Sequence, residues 1–207
     1  VAPEGVYYLP AIARFDFPVQ KDYFLLFGYI PYDYEWGVPN WHSNFFTGYI
    51  YDSKNFWWKI PDFDASSGDI KAVWEFSRFD WVPSLARSAC CGNMHALDRL
   101  NSWLADWEDN NPVGLGVNWK CGQEASIRVM NLVFTSLLLG QVNQATPRLL
   151  RLIRLHLQRL ECTLHYAIAQ DNNHGTSEAA ALFVGGSLLN IHNVDGGREW
   201  ERLGRKW

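Results

Sequence analysis

From Asp69 to the last residue, apolar side chains recur at helical spacing and strand-like alternation is scarce, while glycines and prolines part the runs. Asp69 is a plausible N-cap for a helix from Ile70 to about Cys91, in which Ile70, Val73, Trp74, Trp81 and Leu85 fall near one face and Pro83 is expected to bend or divide the run. A second helix is predicted from Met94 to Trp107, ended by Asn110-Asn111-Pro112, and Gly114, Gly116 and Asn118 then form a loop. Gln123 to Leu139 reads as a third helix, closed by Gly140. Thr146-Pro147 is a strong start signal for a fourth, running to about Ala169. Ser177–Asn190 and a helix from Gly197 onward complete the pattern. Successive antiparallel helical hairpins satisfy it, so the expected class is all-α.

Residues 1–60 differ. They are dense in aromatics and interrupted by Pro10, Pro18, Pro31, Gly37 and Pro39, which predicts an irregular wrapping segment rather than long helices. Pro61–Gly68, with Asp62, Asp64, Ser66 and Ser67, reads as a polar joint to a helical domain over 61–207. The chain of 207 residues holds 11 Trp, 9 Tyr and 12 Phe, a content that suits sugar binding as well as core packing, since a pyranose offers an apolar C–H face and a hydroxyl rim.

A net charge of -4 lacks the basic field that nucleic-acid binders carry. The longest apolar runs are broken before the ~18 residues that a membrane span needs. Val1-Ala2-Pro3-Glu4-Gly5 has neither the basic flank nor the apolar core of an export signal. Cys90, Cys91, Cys121 and Cys162 match neither a zinc spacing nor a dense disulfide framework, and buried free thiols are the simpler expectation. No clustered His or Cys ligand set is present, so neither metal nor cofactor is expected.

Three polar groupings stand out. Lys71, Glu75 and Arg78 share a helix face, as a solvated charge stripe would. Glu124 and Arg128 repeat the i, i+4 spacing directly after the glycine-bearing turn Gly116-Val117-Asn118-Trp119, where binding groups concentrate. Asp171-Asn172-Asn173-His174-Gly175-Thr176-Ser177-Glu178 is a polar run between two apolar helices. A helix start capped by Gly175 or Thr176, with Glu178 returning a bond, accounts for part of it. The two amides and the imidazole are left over, at the positive end of a helix where an anion is welcome. His156 and His165 lie within a helix and read as packed residues.

In order, Asp69-Ile70-Lys71-x-x-Trp74-Glu75-x-x-Arg78, Asn111-Pro112, Gly116-x-Asn118-Trp119, Glu124-x-x-x-Arg128 and Asn172-Asn173-His174-Gly175-x-x-Glu178 resemble the heparinase II/III-type polysaccharide lyases across residues 69–207. The resemblance implies an incomplete α/α toroid, normally followed by a β-sandwich domain, whose cleft holds an acidic polysaccharide cut by β-elimination at a uronic acid. Asn173 matches the amide that offsets the substrate carboxylate, and His174 the adjacent histidine. Glu75, Arg78, Asn118, Trp119, Glu124, Arg128 and Glu178 would shape the cleft. The family's catalytic Tyr and later His would lie beyond Trp207, which implies a piece of a longer enzyme that is inactive alone; Tyr166 is a weak substitute. Such enzymes work in a periplasmic or secreted setting. A non-catalytic glycan-binding or polysaccharide-assembly protein, and a toroid glycoside hydrolase using two of Glu75, Glu124 and Glu178, are the alternatives.

Overall fold

The computed structural model describes residues 5–12, 22–61 and 64–207, so Pro18 and Asp62 of the readings above lie outside it. The chain is mostly helical, as the periodicity requires, with one two-stranded antiparallel sheet among the described residues. That hairpin, β1 (Tyr23–Leu26) and β2 (Ile30–Asp33), pairs Tyr23 with Asp33 and Leu26 with Ile30, inside the segment expected to be irregular. Its turn places Phe27 at φ 52° and Gly28 at φ 75°, and the Phe27 N–H donates to a carboxylate oxygen of Glu75. A non-glycine residue with positive φ is strained, and this bond to the helical half fixes it.

The first predicted helix is two: α1 (Lys71–Ser77) and α2 (Trp81–Cys90). The break is at Phe79, buried with φ 66°, and not at Pro83. Pro83 is the third residue of α2, where an N–H has no intrahelical acceptor and its loss costs nothing. Asn131 holds the corner by donating to the Arg78 carbonyl and Asp80 Oδ1, both at 2.9 Å. The N-cap of α1 is Ile70, one residue after the expected Asp69, whose Oδ1 accepts from the Lys71 N–H at 2.9 Å just ahead of the helix.

α3 (Met94–Asn110) starts at its cap Asn93, and α4 (Gly122–Leu138) follows a short 3-10 turn, Val117–Trp119. Thr146 caps α5 as expected, its hydroxyl accepting from the Leu149 N–H, but α5 (Pro147–Glu161) stops eight residues short of the predicted end. A separate α6 (Leu164–Ala169) succeeds it. α7 (Asn173–Ile191) and α8 (Gly197–Lys206) form an antiparallel pair at backbone contact. A methyl group on Gly186 would lie 2.4 Å from the Glu201 nitrogen, and one on Gly204 2.3 Å from the Phe183 nitrogen, so only glycine permits this approach.

The aromatic segment and the helices share one core. Tyr7, Tyr8, Phe24, Leu26, Tyr34 and Trp41 belong to the same buried cluster as Trp81, Trp103, Trp107 and Trp119. Asn101 Oδ1 accepts from the N–H groups of both Tyr7 and Tyr8, and the Tyr8 hydroxyl reaches the Leu132 carbonyl at 2.7 Å. The wrapping segment is thus held by buried hydrogen bonds as well as by area. No helix among the described residues is long and apolar enough to cross a membrane.

Neighbouring contacts fix how the helices run. Arg128 meets His156 and Trp119 meets Arg159, so α4 and α5 are antiparallel. Gly122 meets Glu178 while Gly185 meets Val129, so α4 and α7 are parallel. The N-terminus of α4 therefore lies beside the second turn of α7, at Glu178.

Candidate functional site

Two polar centres emerge, one buried and one partly exposed. The inner one is built on Arg128, fully buried in the middle of α4. The Arg128 Nε donates to His156 Nε2 at 2.8 Å, and one terminal nitrogen donates to the Asn118 carbonyl at 2.7 Å. Its guanidinium stands 5.1 Å from the Trp107 ring centre and 5.7 Å from that of Trp119. Because Arg128 must donate, His156 Nε2 carries a lone pair and its Nδ1–H donates to the Leu152 carbonyl. Burial, with Arg128 alongside, holds His156 well below its ordinary range, and burial lowers Arg128 to about 10. The result is a neutral imidazole beside a cation that stays charged.

Glu124 and Arg128, four residues apart on α4, do not meet: Glu124 pairs with Arg78. Arg78 Nε and Nη2 meet the two Glu124 oxygens at 2.8 and 2.9 Å, and Nη1 meets Glu75. This fork raises the Arg78 pKa, first through the Glu124 hydrogen bonds, while burial pushes Glu75 up against the opposing Phe27 N–H bond and Arg78 charge. The Lys71–Glu75–Arg78 stripe is not a solvated face, since Glu75 is buried. Asn118 and Trp119 are buried too; Asn118 bonds Asn111 and the Trp41 carbonyl, and the Trp119 indole donates to the Asn111 carbonyl. Neither offers a face to a sugar.

At the start of α7, Asn172 is the cap, its Oδ1 accepting from the His174 N–H at 2.9 Å, and the helix begins before the predicted Gly175 or Thr176. Gly175 instead lies within α7, where a methyl group would meet the Ile168 Cα at 3.4 Å. Glu178 is the sixth residue of the helix and buried, too far along to return a capping bond. Asn173 is exposed, and its side-chain amide makes no hydrogen bond with the described residues. His174 Nδ1 stands 3.7 Å from Glu178 Oε1. Glu178 Oε2 is buried with no hydrogen-bond partner, and burial raises the carboxyl to about 7 despite the opposing charge of Arg159.

Cys121 and Arg159 join these pieces. The Cys121 thiol, half-buried before α4, is pushed up mainly by burial and also by the charges of Glu124 and Glu178, so both carboxylates border it. Arg159 donates to the Trp119 and Lys120 carbonyls and to Thr163, lies 3.8 Å from the Trp57 ring centre, and feels Glu178. The structure thus brings Glu75, Arg78, Glu124, Glu178, His174 and Asn173 to one end of α4 and α7, while Asn118, Trp119 and Arg128 belong to the buried centre. Exposed aromatics flank that end. Phe46 stacks on Phe27 beside Glu75, and Phe56 and Trp58 stack next to Trp57.

Arg159 was readable but unread: it shares the buried phase of α5 with Leu152 and His156 at i+7 and i+3, an arginine where a leucine is expected. Cys121 and Gly122 carried no local signal. The cysteines are free, yet Cys91 and Cys162 are exposed, which corrects the expectation of buried thiols. Tyr166 is exposed on α6. No group of three or more His, Cys, Asp or Glu side chains suited to a metal occurs among the described residues. A cavity of about 340 Å³ lies away from both centres, lined by Tyr34, Glu35, His95 and Arg99 among others, and a smaller one of about 80 Å³ borders the inner centre at Trp107, Asn111 and Trp119. Comparison of the chain with protein families, curated proteins and solved structures finds no match.

Proposed function

We propose that this chain carries the glycan-recognising part of a polysaccharide lyase acting on a uronic-acid polymer, arranged as an incomplete α/α toroid. The observation that carries the reading is the grouping, at the start of α7 where its Glu178 packs on the first residue of α4, of an unpartnered Asn173 amide, the His174 ring and the buried Glu178 carboxyl. A helix N-terminus favours an anion, and a free amide and an imidazole supply directional hydrogen bonds to a carboxylate. Elimination at a uronic acid removes the proton alpha to that carboxylate, so charge accumulates on its oxygens and preorganised donors there lower the barrier. Glu75 and Glu124 are both engaged by Arg78, which favours elimination over hydrolysis by a free carboxyl pair. The flanking exposed aromatics suit sugar rings on either side, and they equally serve a protein that binds the polymer without cutting it.

Elimination leaves an unsaturated uronate that absorbs in the ultraviolet. Absorbance growing with alginate, hyaluronan or heparan, from this chain or from a longer parent protein, supports the lyase reading; in that active protein Asn173→Ala should lower the rate about 100-fold or more. Retained binding without absorbance from either form selects the binding protein. An unchanged rate in Asn173→Ala removes its assignment as the carboxylate partner.

A further inference from the structure

The cavity of about 340 Å³ lies where the aromatic N-terminal segment meets α2 and α3, and neither polar centre uses it. Two backbone corners frame it. At the open end of the hairpin the Tyr34 N–H donates to the Asp22 carbonyl at 2.9 Å, which sets Asp22 and Glu35 on one wall. At the turn from α2 into α3 the Asn93 N–H donates to the Ser88 carbonyl at 3.2 Å, and Asn93 Oδ1 accepts from the Ala96 N–H at 3.1 Å, which sets Ser88, Asn93 and His95 on the other. Arg99 ties the walls together: one terminal nitrogen donates to Glu35 Oε1 at 2.8 Å, and its guanidinium stands 5.6 Å from the Tyr34 ring centre. Leu85 and Ala96 add an apolar part to the lining. The volume is that of a small-molecule site rather than of a gap for one water.

The polar groups of this lining are not consumed by the fold. The Asp22 carboxylate, the Ser88 hydroxyl, the Asn93 amide nitrogen and the His95 ring make no hydrogen bond with the described residues. Asp22, Asn93 and His95 are exposed, so the cavity is reached from solvent. Its charges oppose one another: Asp22 and Glu35 stand against Arg99 and the positive end of the 17-residue α3. An anion entering meets two carboxylates, and a cation meets Arg99 and the helix end. A hydroxyl suits both sides, because it donates to a carboxylate and accepts from an amide or a guanidinium.

We propose that this cavity binds a neutral sugar unit, free or at the end of a glycan, whose hydroxyls donate to Asp22 and accept from Asn93 and Arg99. The site is separate from the start of α7 and does not rest on the uronate reading. A single sugar held by a few hydrogen bonds and a small apolar area has a dissociation constant of about 1 mM.

The test is amide and histidine-ring NMR titration of this chain with glucose, galactose, mannose and N-acetylglucosamine, and with glucuronate and glucosamine as charged counterparts. At least one neutral sugar should shift Ser88, His95 and Arg99, and its charged counterparts should bind about tenfold more weakly. Asp22→Ala and His95→Ala alter exposed side chains and leave the fold intact, which thermal melts check. Asp22→Ala should weaken binding about tenfold and His95→Ala several-fold, while Asn173→Ala should leave it unchanged. No shift of the lining residues with any neutral sugar overturns the proposal, as does affinity unchanged in Asp22→Ala. Glucuronate or glucosamine binding as tightly as the neutral sugar overturns the ligand class. Glucuronate shifts confined to Asn173 and His174 would support the uronate reading and, without neutral-sugar shifts at Ser88 and His95, would still overturn this one.

Discussion

The molecule treats two of its arginines oppositely. Arg128 is sealed: a histidine, a carbonyl and two indole rings engage it, and no carboxylate bonds to it. Arg78 faces outward with its side chain 25% exposed and is clamped by two carboxylates. The inner arrangement gives a structural centre, because each donor ends on a fixed acceptor and a wet competitor is excluded. The outer arrangement stays addressable at the start of α4, where the Glu178 carboxyl of α7, with Oε2 unpartnered, packs on Gly122.

The largest effect should come from the sealed centre. Arg128→Ala removes the partner of His156 Nε2 and of the Asn118 carbonyl and opens a cavity between two tryptophans, which should cost about 4 kcal/mol or more in urea denaturation. Trp119→Ala belongs with it at about 3–5 kcal/mol, because Trp119 is core and not a sugar platform. A loss under 1 kcal/mol for Arg128→Ala would erase the contrast between the two arginines.

Next in size is a pH effect on stability that belongs to the outer site. Glu178 has its folded pKa raised from 4.5 to about 7, so the folded state binds more protons than the unfolded state between those values. Stability is therefore fullest below about 4.5 and declines as pH rises toward 7, by up to about 3 kcal/mol if unopposed. Glu178→Gln should remove that decline, which thermal melts at pH 5 and pH 8 would show as a smaller difference than in wild type. A parallel decline in both proteins would assign it to another group.

How much of this was legible follows from the range of the forces involved. Helix periodicity and the Thr146 cap are local, and they stand as read, while the start of α1 falls one residue after the expected Asp69 cap. The corner at Phe79 escaped because a bulky residue reaches positive φ only when burial and the Asn131 bonds hold it, a tertiary cause that no spacing encodes. The partner of Glu124 escaped for the same reason: Arg128 stands at i, i+4, but the phase of α4 turns it inward, and Arg78 comes from outside that helix. Asn173 and His174 were visible because a polar run between apolar helices exceeds what capping needs. Gly122, whose lack of a side chain admits the Glu178 carboxyl, is invisible until α4 and α7 are known to be parallel.

That glycine supplies an intermediate effect. Gly122→Ala forces the Glu178 carboxyl away from a contact of 2.3 Å, and the overpacking should cost about 1–3 kcal/mol. The displacement should also abolish the pH dependence of stability by moving Glu178 toward water. Melts at pH 5 and pH 8 separate the two consequences, and an unchanged pH dependence would mean that the contact does not position the carboxyl.

The smallest effect should be Arg78→Lys. Charge is retained, but an ammonium cannot reproduce the planar fork that meets both Glu124 oxygens and still reaches Glu75. Since Arg78 is partly exposed, the loss in stability should be about 1 kcal/mol, well below that of Arg128→Ala. The informative readout is affinity for a uronate hexasaccharide measured beside denaturation. The loosened fork frees Glu124 and adds negative charge at the end of α4, so affinity for a uronate should fall several-fold while the fold persists. Loss of stability with unchanged affinity would place Arg78 with Arg128 as part of the framework, and the contrast between an inner structural centre and an outer binding one would then rest on Asn173, His174 and Glu178 alone.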